Sequence, residues 1–319
     1  MRTCRTRGWT LPCFLLVAAL PAAAQPRPQA PTAWQIEAAV GVARFAPDDL
    51  NARVAYDTAW LDYLRASQAT QQHEGELGTL EDAVPVIVRI TRRLGRHWFV
   101  GGGLSFLSSR QESSASASYR YTVVDPQAQE YQRQFAQFLE VAPLVLEVRD
   151  YLPHAIVGAD VGLGRRLRVG GALAAGWAFA TCMLTRSSTA QGGFYATNHR
   201  SNLEMRGTGN GLAAEARLTA RLELMTRIGL LVEGGFAWHE VKDIGGSLDS
   251  TQRTQDGEAT EVELDQAGHA DGRWVNQPVT VQTSTGTWRG TVPSIGVQGS
   301  PFALDLSGWR FRAGISFGF

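Results

Sequence analysis

The stretch that decides the fold is Gly308–Phe319, with the sequence GWRFRAGISFGF. Its large apolar side chains all fall on one parity, while arginine, serine and glycine fall on the other. Successive side chains of a β-strand point to opposite faces of the sheet, so this stretch predicts a strand with one apolar and one polar face. Such a strand also occurs in soluble sheets. The rest of the sequence must therefore indicate which solvent the apolar face meets.

The amino-terminal 24 residues have the three parts of a secretory signal. Arginines come first, an apolar run from Leu11 to Leu20 follows, and Pro21–Ala24 supplies small residues with an A-x-A site. This order is typical of a cleaved signal peptide, and the apolar run is too short to span a membrane as a helix. We therefore expect residues 1–24 to be a signal peptide and residues 25–32 to be a periplasmic lead-in.

In an exported chain, the terminal stretch resembles the insertion signal of bacterial outer-membrane β-barrel proteins, a class that includes small OmpA-like and porin-like barrels. The resemblance is carried by Trp309, Phe311, Ile315, Phe317 and Phe319. It implies an all-β fold, a closed antiparallel transmembrane β-barrel over residues 33–319 with long extracellular loops. The implied location is the cell outer membrane of a Gram-negative bacterium. Outer-membrane lipid, lipopolysaccharide and the barrel assembly machinery would then be the partners.

Composition argues against several other classes of protein. The predicted leader holds three of the 30 basic residues and no acid, so the remaining chain has 27 basic against 30 acidic residues. That balance gives no electrostatic footprint for nucleic acid. Cys182 is the one cysteine beyond the leader, which excludes an intramolecular disulfide and a cysteine metal site in the mature chain. No cofactor is predicted.

Alternating segments elsewhere predict the other strands. The clearest hairpin joins Leu212–Leu224 to Ile228–His239, and short turns alternate with long polar segments along the chain. If both termini lie in the periplasm, the number of strands must be even. Counting Tyr119–Val123 as a spanning strand gives ten strands, which the alternation favours. Merging it into a loop, and merging the segment around Asp160 into its neighbour, gives eight.

The segments between these strands have their own patterns. Asp48–Leu64 has near-helical apolar spacing after a capping aspartate, which predicts a helix packed on the barrel rim. Asp125–Phe138 also predicts a helix, on the periplasmic side if there are ten strands. Thr185–Gly211 and Lys242–Ser300 are expected to be long polar loops.

Charged residues on the polar faces of the strands are candidates for an interior network. The acidic and basic members nearly balance, which favours a filled interior cross-linked by ion pairs, because small barrels are packed inside. A narrow path for ions or solutes lined by the same charges is the alternative. The predicted members are Glu37, Arg89, Glu147, Asp160, Glu215, Arg217, Arg221, Glu223, Glu233, Arg310 and Arg312.

The most enzyme-like motif is His199-Arg200-Ser201-Asn202. A histidine two residues before a serine lies on the same face of a strand, where its imidazole can take the hydroxyl proton. The motif resembles the His-x-Ser-Asn motif of outer-membrane lipid A deacylases. That resemblance implies His199 as base, Ser201 as nucleophile and Asn202 beside the oxyanion. Leu203 follows where that family has a small residue.

A second enzyme class is less well matched. Outer-membrane proteases of the omptin type need an Asp-Asp pair and an Asp-His pair, and His269-Ala270-Asp271 has no evident partner in the sequence. The sequence therefore predicts a barrel that is structural, surface-interacting or a narrow channel, with no confident catalytic residue. A lipid A-modifying serine hydrolase is the alternative function.

Overall fold

The computed structural model describes residues 34–319 except 67–70, 125–131, 165, 193–196, 226, 256–263 and 284–285. The predicted signal peptide and lead-in therefore lie outside the described residues. The elements are β1 (Trp34–Phe45), α1 (Asp48–Ala66), β2 (Gln71–Glu76), β3 (Asp82–Leu94), β4 (Trp98–Val124), β5 (Gln132–Leu163), β6 (Leu167–Gly192), β7 (Thr197–Glu223), β8 (Ile228–Gln255), β9 (Leu264–Thr283), β10 (Gly286–Ile295), β11 (Ser300–Pro301), β12 (Leu304–Asp305) and β13 (Gly308–Gly318).

Eight strands pair in a circular order, and we call this set of strands the ring. Its members are β1, β3, β4, β5, β6, β7, β8 and β13. All pairs are antiparallel, and β13 lies between β1 and β8, where Phe317 is opposite both Ile36 and Ile228. The ring has eight strands, not the favoured ten. Tyr119–Val123 does not cross back, because it is the far end of β4 and pairs with the start of β5. The protein is thus an all-β chain organised around eight mutually paired strands.

The two ends of the ring differ in their connections. At the lower end, the backbones of Trp34 and Phe319 bond to each other, and three short connections join β3 to β4, β5 to β6 and β7 to β8. At the upper end, β4 to β8 continue past the ring as a sheet that is widened by β2 on one side and by β9 and β10 on the other. We call this upper sheet, together with α1, the extension.

The side chains keep one alternation along each long strand, but their composition changes between ring and extension. On β5 the even-numbered residues point inward throughout, from Leu144 to Asp160. The odd-numbered residues Glu147 and Arg149 are charged and point outward, and those from Tyr151 downward are apolar. The extension therefore buries its apolar face inside, whereas the ring exposes its apolar face outside.

Helix α1 packs inside the extension, as its predicted apolar spacing requires. Leu50, Val54, Leu61 and Leu64 are buried, and the helix contacts both β4 and β10, near the two edges of the upper sheet. The predicted rim helix is confirmed over Asp48–Ala66. Among the described residues, no helix is both long enough and apolar enough to cross a membrane.

Asp57 fixes the helix to the sheet with a buried ion pair. Its carboxylate is fully buried and accepts hydrogen bonds from Arg53, one turn earlier, and from Arg186 of β6. The Arg186 nitrogen Nε lies 3.0 Å from Asp57 Oδ2, and its Nη1 donates to Ser188 at 2.6 Å. Burial lowers the pKa of Arg53, against the opposing influence of Asp57.

The predictions for three polar segments are wrong, and one physical reason explains all three. Gln132–Phe138, predicted as helix, is strand β5; residues 125–131 lie outside the described residues. Much of Thr185–Gly211 is strand in β6 and β7, and much of Lys242–Ser300 forms the rest of β8 with β9 and β10. These strands have polar outer faces, so they lack the continuous apolar face that identified the ring strands.

Candidate functional site

The predicted charges of the ring meet in an interior cluster that strand register brings together. Glu37 of β1 is directly opposite Arg89 of β3, and Glu233 of β8 is directly opposite Arg312 of β13. Directly opposed residues share a face and lie within reach of each other, so each acid is paired with an arginine. Glu215 of β7 joins the same cluster from the next strand.

The cluster is a continuous chain of ion pairs. Arg89 contacts Glu37 and lies 2.6 Å from Glu233. Arg312 bridges Glu233 and Glu215, with one guanidinium nitrogen 2.6 Å from each carboxylate. All five side chains are at most 5% exposed. Burying charged groups costs free energy because they lose their hydration. Two carboxylates around each guanidinium offset more of that cost than a single carboxylate would.

The remaining predicted members lie around this chain of ion pairs. Arg221 contacts Glu37, and Arg217 and Arg310 each come within 3.8 Å of Glu215. Glu223, near the lower end, is half-buried. Ten of the eleven predicted residues lie on the inward parity of their strands.

Glu147 is the exception, and the prediction that it faces the interior is wrong. Its neighbours Leu146 and Val148 are the buried ones, and Glu147 contacts Arg149 and Arg110 on the outer face. Strand β5 runs from Gln132 to Leu163 without reversing, so Glu147 has the opposite parity to Asp160.

Sequence reasoning missed several interior charges near the ends of the ring. Asp160 lies 2.5 Å from Arg93 and 2.6 Å from Arg168, two arginines that are not among the predicted members. Asp150 lies 3.5 Å from His239, which is also 3.4 Å from Arg310. Parity was the available signal, since Asp150 and Asp160 are ten residues apart on one uninterrupted strand.

Charged side chains occupy the interior of the ring, and apolar side chains occupy the interior of the extension. A cavity of about 10 Å³ beside His154 and Glu215 is large enough for a single water molecule. Above the charges, the extension is closed by an apolar core in which Trp274 and Phe302 pack edge to face at 5.0 Å. The geometry fits the filled-interior hypothesis better than a path for solutes.

In the described part of the chain, His199 and Asn202 form hydrogen bonds to threonines of β8. His199 and Ser201 point to the inner side of the extension, as their spacing predicts, but the imidazole Nδ1 pairs with the Thr254 hydroxyl at 3.0 Å. Asn202 lies on the opposite face and is exposed, donating to Thr251 at 3.4 Å. Among the described contacts, no hydrogen bond joins His199 to Ser201.

His269 has the partner that the sequence did not reveal. Its Nδ1 lies 2.6 Å from Asp249 of β8, and its Nε2 lies 3.2 Å from Asp271. The hydrogen bonds to Asp249 and then to Asp271 raise the pKa of His269. All three side chains are exposed on the outer face of the extension, and no group of three or more possible ligands in the described residues is arranged to hold a metal ion.

The five residues of the predicted terminal signal share one face. Each is at least 42% exposed and points away from the interior of the ring. The residues are Trp309, Phe311, Ile315, Phe317 and Phe319.

Comparisons with known proteins add no assignment to this geometry. No protein-family model matches the chain, and no curated protein is significantly similar to it. The observations that bear on function are therefore those of the sequence and the structure.

Removing Arg89 should destabilise the ring strongly. Arg89→Met leaves Glu37 and Glu233 each short of a buried partner, and we expect the free energy of unfolding to fall by about 3 kcal/mol. The matched control is Arg44→Met, because Arg44 and Glu81 form an exposed pair near the upper end of the ring. Denaturant unfolding in lipid vesicles measures both variants. Equal losses for the two would contradict the structural role of the cluster.

Proposed function

We propose that the protein is an outer-membrane β-barrel whose eight ring strands span the bilayer, whose interior is closed, and whose extension is a surface-interacting structure outside the cell. The observation that carries the proposal is the continuous apolar outer face of the ring, which we call the band. Monomeric soluble proteins rarely expose apolar patches beyond a few hundred Å². The band includes Trp34, Ile36, Val40, Val42, Val84, Val86, Val88, Ile90, Trp98, Leu104, Phe106, Tyr151, Val157, Leu163, Leu173, Trp177, Phe179, Leu212, Leu218, Leu230, Val232, Trp238, Trp309, Phe311, Ile315, Phe317 and Phe319.

The height of the band matches a bilayer. On β13 the outward residues run from Trp309 to Phe319, which is ten steps of about 3.3 Å along the strand. At the roughly 40° tilt of barrel strands, that length corresponds to about 25 Å along the barrel axis. This is about the height of the apolar zone of outer-membrane barrels.

Aromatic residues concentrate at both edges of the band. Trp34, Trp98 and Phe319 lie at the lower edge, and Tyr151 and Phe179 lie at the upper edge, where outward charges begin. Trp238 and Trp309 flank Phe236, and the ring centroids of each neighbouring pair are 5.1–5.4 Å apart. Aromatic side chains favour the boundary between hydrocarbon and head groups, so the two edges support the same placement.

The connections support an orientation. Outer-membrane barrels have short turns on the periplasmic side and longer structure on the extracellular side. The lower end, with both described termini and the short turns, accordingly faces the periplasm. The extension projects outside the cell, where its charged outer face meets water. Outer-membrane lipid and lipopolysaccharide would surround the band, and the barrel assembly machinery would insert it.

The filled interior favours a structural or surface-interacting role over a narrow channel. The ion pairs around Arg89 and Arg312 close the ring, and the apolar core around Trp274 closes the extension above it. A hydrated ion would have to displace both layers to pass. The remaining candidate for function is thus the exposed surface of the extension.

The alternative function, lipid A deacylation, has little support from the position of its motif. His199 lies thirteen residues above Leu212, which is an outward residue of the band, along strand β7. That separation is about 40 Å along the strand, and the imidazole points into the extension. Ester bonds of an outer-leaflet lipid would lie close to the band, far from this histidine.

Surface labelling tests the membrane orientation. In a Cys182→Ser background, Ala267→Cys places a thiol on the exposed outer face of the extension, and Arg166→Cys places one in an exposed lower turn. An impermeant maleimide should label Ala267→Cys on intact cells but label Arg166→Cys only after permeabilisation. Labelling of both on intact cells, or recovery of the protein in the soluble fraction, would end the proposal.

Conductance measurements test the closed interior. Wild-type protein inserted in a planar lipid bilayer should give no reproducible current steps in concentrated salt, while a general porin inserted in the same bilayer gives them. The variant to compare with the wild-type protein is Arg312→Ala, which removes the bridge between Glu233 and Glu215. Current steps from the wild-type protein that change in size in Arg312→Ala would instead establish a channel through the ring.

A further inference from the structure

We infer that a groove on the outer wall of the extension, directly above the band, binds the phosphorylated saccharide head group of an outer-leaflet lipid. The inference rests on the proposed membrane orientation and adds a ligand class and a site to it. The groove crosses β5 to β9 and has a volume of about 730 Å³. Its polar and charged lining side chains include Glu147, Arg149, Thr181, Arg206, Ser247 and Asp271.

Strand register fixes the groove next to the membrane boundary. Tyr151 and Phe179, at the upper edge of the band, are directly opposite each other on β5 and β6. Two residues higher on the same face, Arg149 is opposite Thr181. The floor of the groove therefore begins one side-chain row above the aromatic edge, at the depth where lipid head groups meet the protein.

Backbone irregularity gives the outer wall its concave form. The β7–β8 pairing shifts register between Thr208 and Asn210, and Asp243 opposite this point has a positive φ of 55°. Such a bulge bends a strand and increases its local twist. Beside the bulge, a Cβ on Gly245 would meet no atom closer than 4.0 Å, so glycine leaves this part of the groove open.

The groove supplies the groups that recognise phosphate. The side chains of Arg149 and Arg206 are 62% and 70% exposed, and guanidinium groups bind phosphate oxygens in a bidentate manner. Arg149 now lies 2.6 Å from Glu147, and Arg206 contacts Glu204. The Arg206–Glu204 pair is exposed and contributes little to stability, so a phosphate can replace Glu204 at small cost. Glu147 is only 12% exposed, but it also lies 3.9 Å from Arg110 and so keeps a cationic neighbour when Arg149 binds phosphate.

The remaining lining fits hydroxyl groups better than a second strong anion. Thr181 and Ser247 offer hydroxyls, and the carboxylates of Glu147 and Asp271 accept hydrogen bonds from sugar hydroxyl or amino groups. Two arginines and two acids make the lining neutral overall. A saccharide carrying phosphate matches this mixture, whereas a polyphosphate would meet the two carboxylates.

Size and position favour a lipid-linked saccharide over a smaller head group. A volume of about 730 Å³ is within the range of sites that enclose whole small molecules, and a single phosphate would fill little of it. A saccharide held there has the band directly below, where Phe106, Tyr151 and Phe179 offer apolar surface to attached acyl chains. One ligand would thus use both surfaces at once.

A binding measurement with matched variants tests the inference. The probe is a phosphorylated, acylated disaccharide lipid in phospholipid nanodiscs, and the protein is the full chain in detergent. We expect R149Q/R206Q to bind at least tenfold more weakly than wild type. The control is R200Q, which removes an exposed arginine from the same face of β7, six residues above Arg206. It should bind as wild type does.

Three further results would overturn the inference. Equal binding by R149Q/R206Q and wild type would remove the groove as the site. Equal binding of a dephosphorylated probe would remove phosphate recognition. Binding of inorganic phosphate or of nanodiscs containing only phosphatidylglycerol as tightly as the saccharide lipid would remove the ligand class. Failure of the proposed orientation is seen separately, because the labelling of Ala267→Cys and Arg166→Cys does not depend on any ligand.

Discussion

The alternation of side chains along eight paired strands is the constraint on which the rest of the structure depends. Apolar residues on the outer face leave the inner face to the other parity, and an eight-stranded ring has room inside only for side chains. Charged residues placed there must be paired, and antiparallel register supplies the pairs, Glu37 with Arg89 and Glu233 with Arg312. The same pairs close the interior, so the architecture that stabilises the ring also argues against a channel.

Above the ring the same alternation places apolar residues inside and charged residues outside, which is the reverse of the ring. Strand β5 carries Leu144, Leu146 and Val148 inward in the extension, with Arg149 outward, and Tyr151 begins the apolar outer face two residues later. One strand therefore exposes charged residues at one end and apolar residues at the other. The outer face changes from charged to apolar within two residues. The polar groups of the groove therefore lie directly beside the upper edge of the band.

The sequence predicted the ring well and the extension poorly, for physical reasons. In β13, the alternation of side chains predicted a strand with one apolar face, and the structure exposes that face. Glu147 was misplaced because Leu146 and Val148 were taken to be apolar residues facing outward, whereas in the extension the apolar parity faces inward. The contact of His269 with Asp249 joins residues 20 apart, and it depends on the β8–β9 register, which no local pattern encodes.

The most direct test of the account is the solvent met by the outer face. Nitroxide labels at Leu231, Val232 and Thr251 of β8 sample the interior, the band and the extension. In lipid vesicles we predict that the label at Val232 is accessible to oxygen and shielded from a water-soluble nickel complex. The label at Thr251 should show the reverse preference, and the label at Leu231 should be shielded from both. Equal nickel accessibility at Val232 and Thr251 would contradict the account, because it would place the band in water.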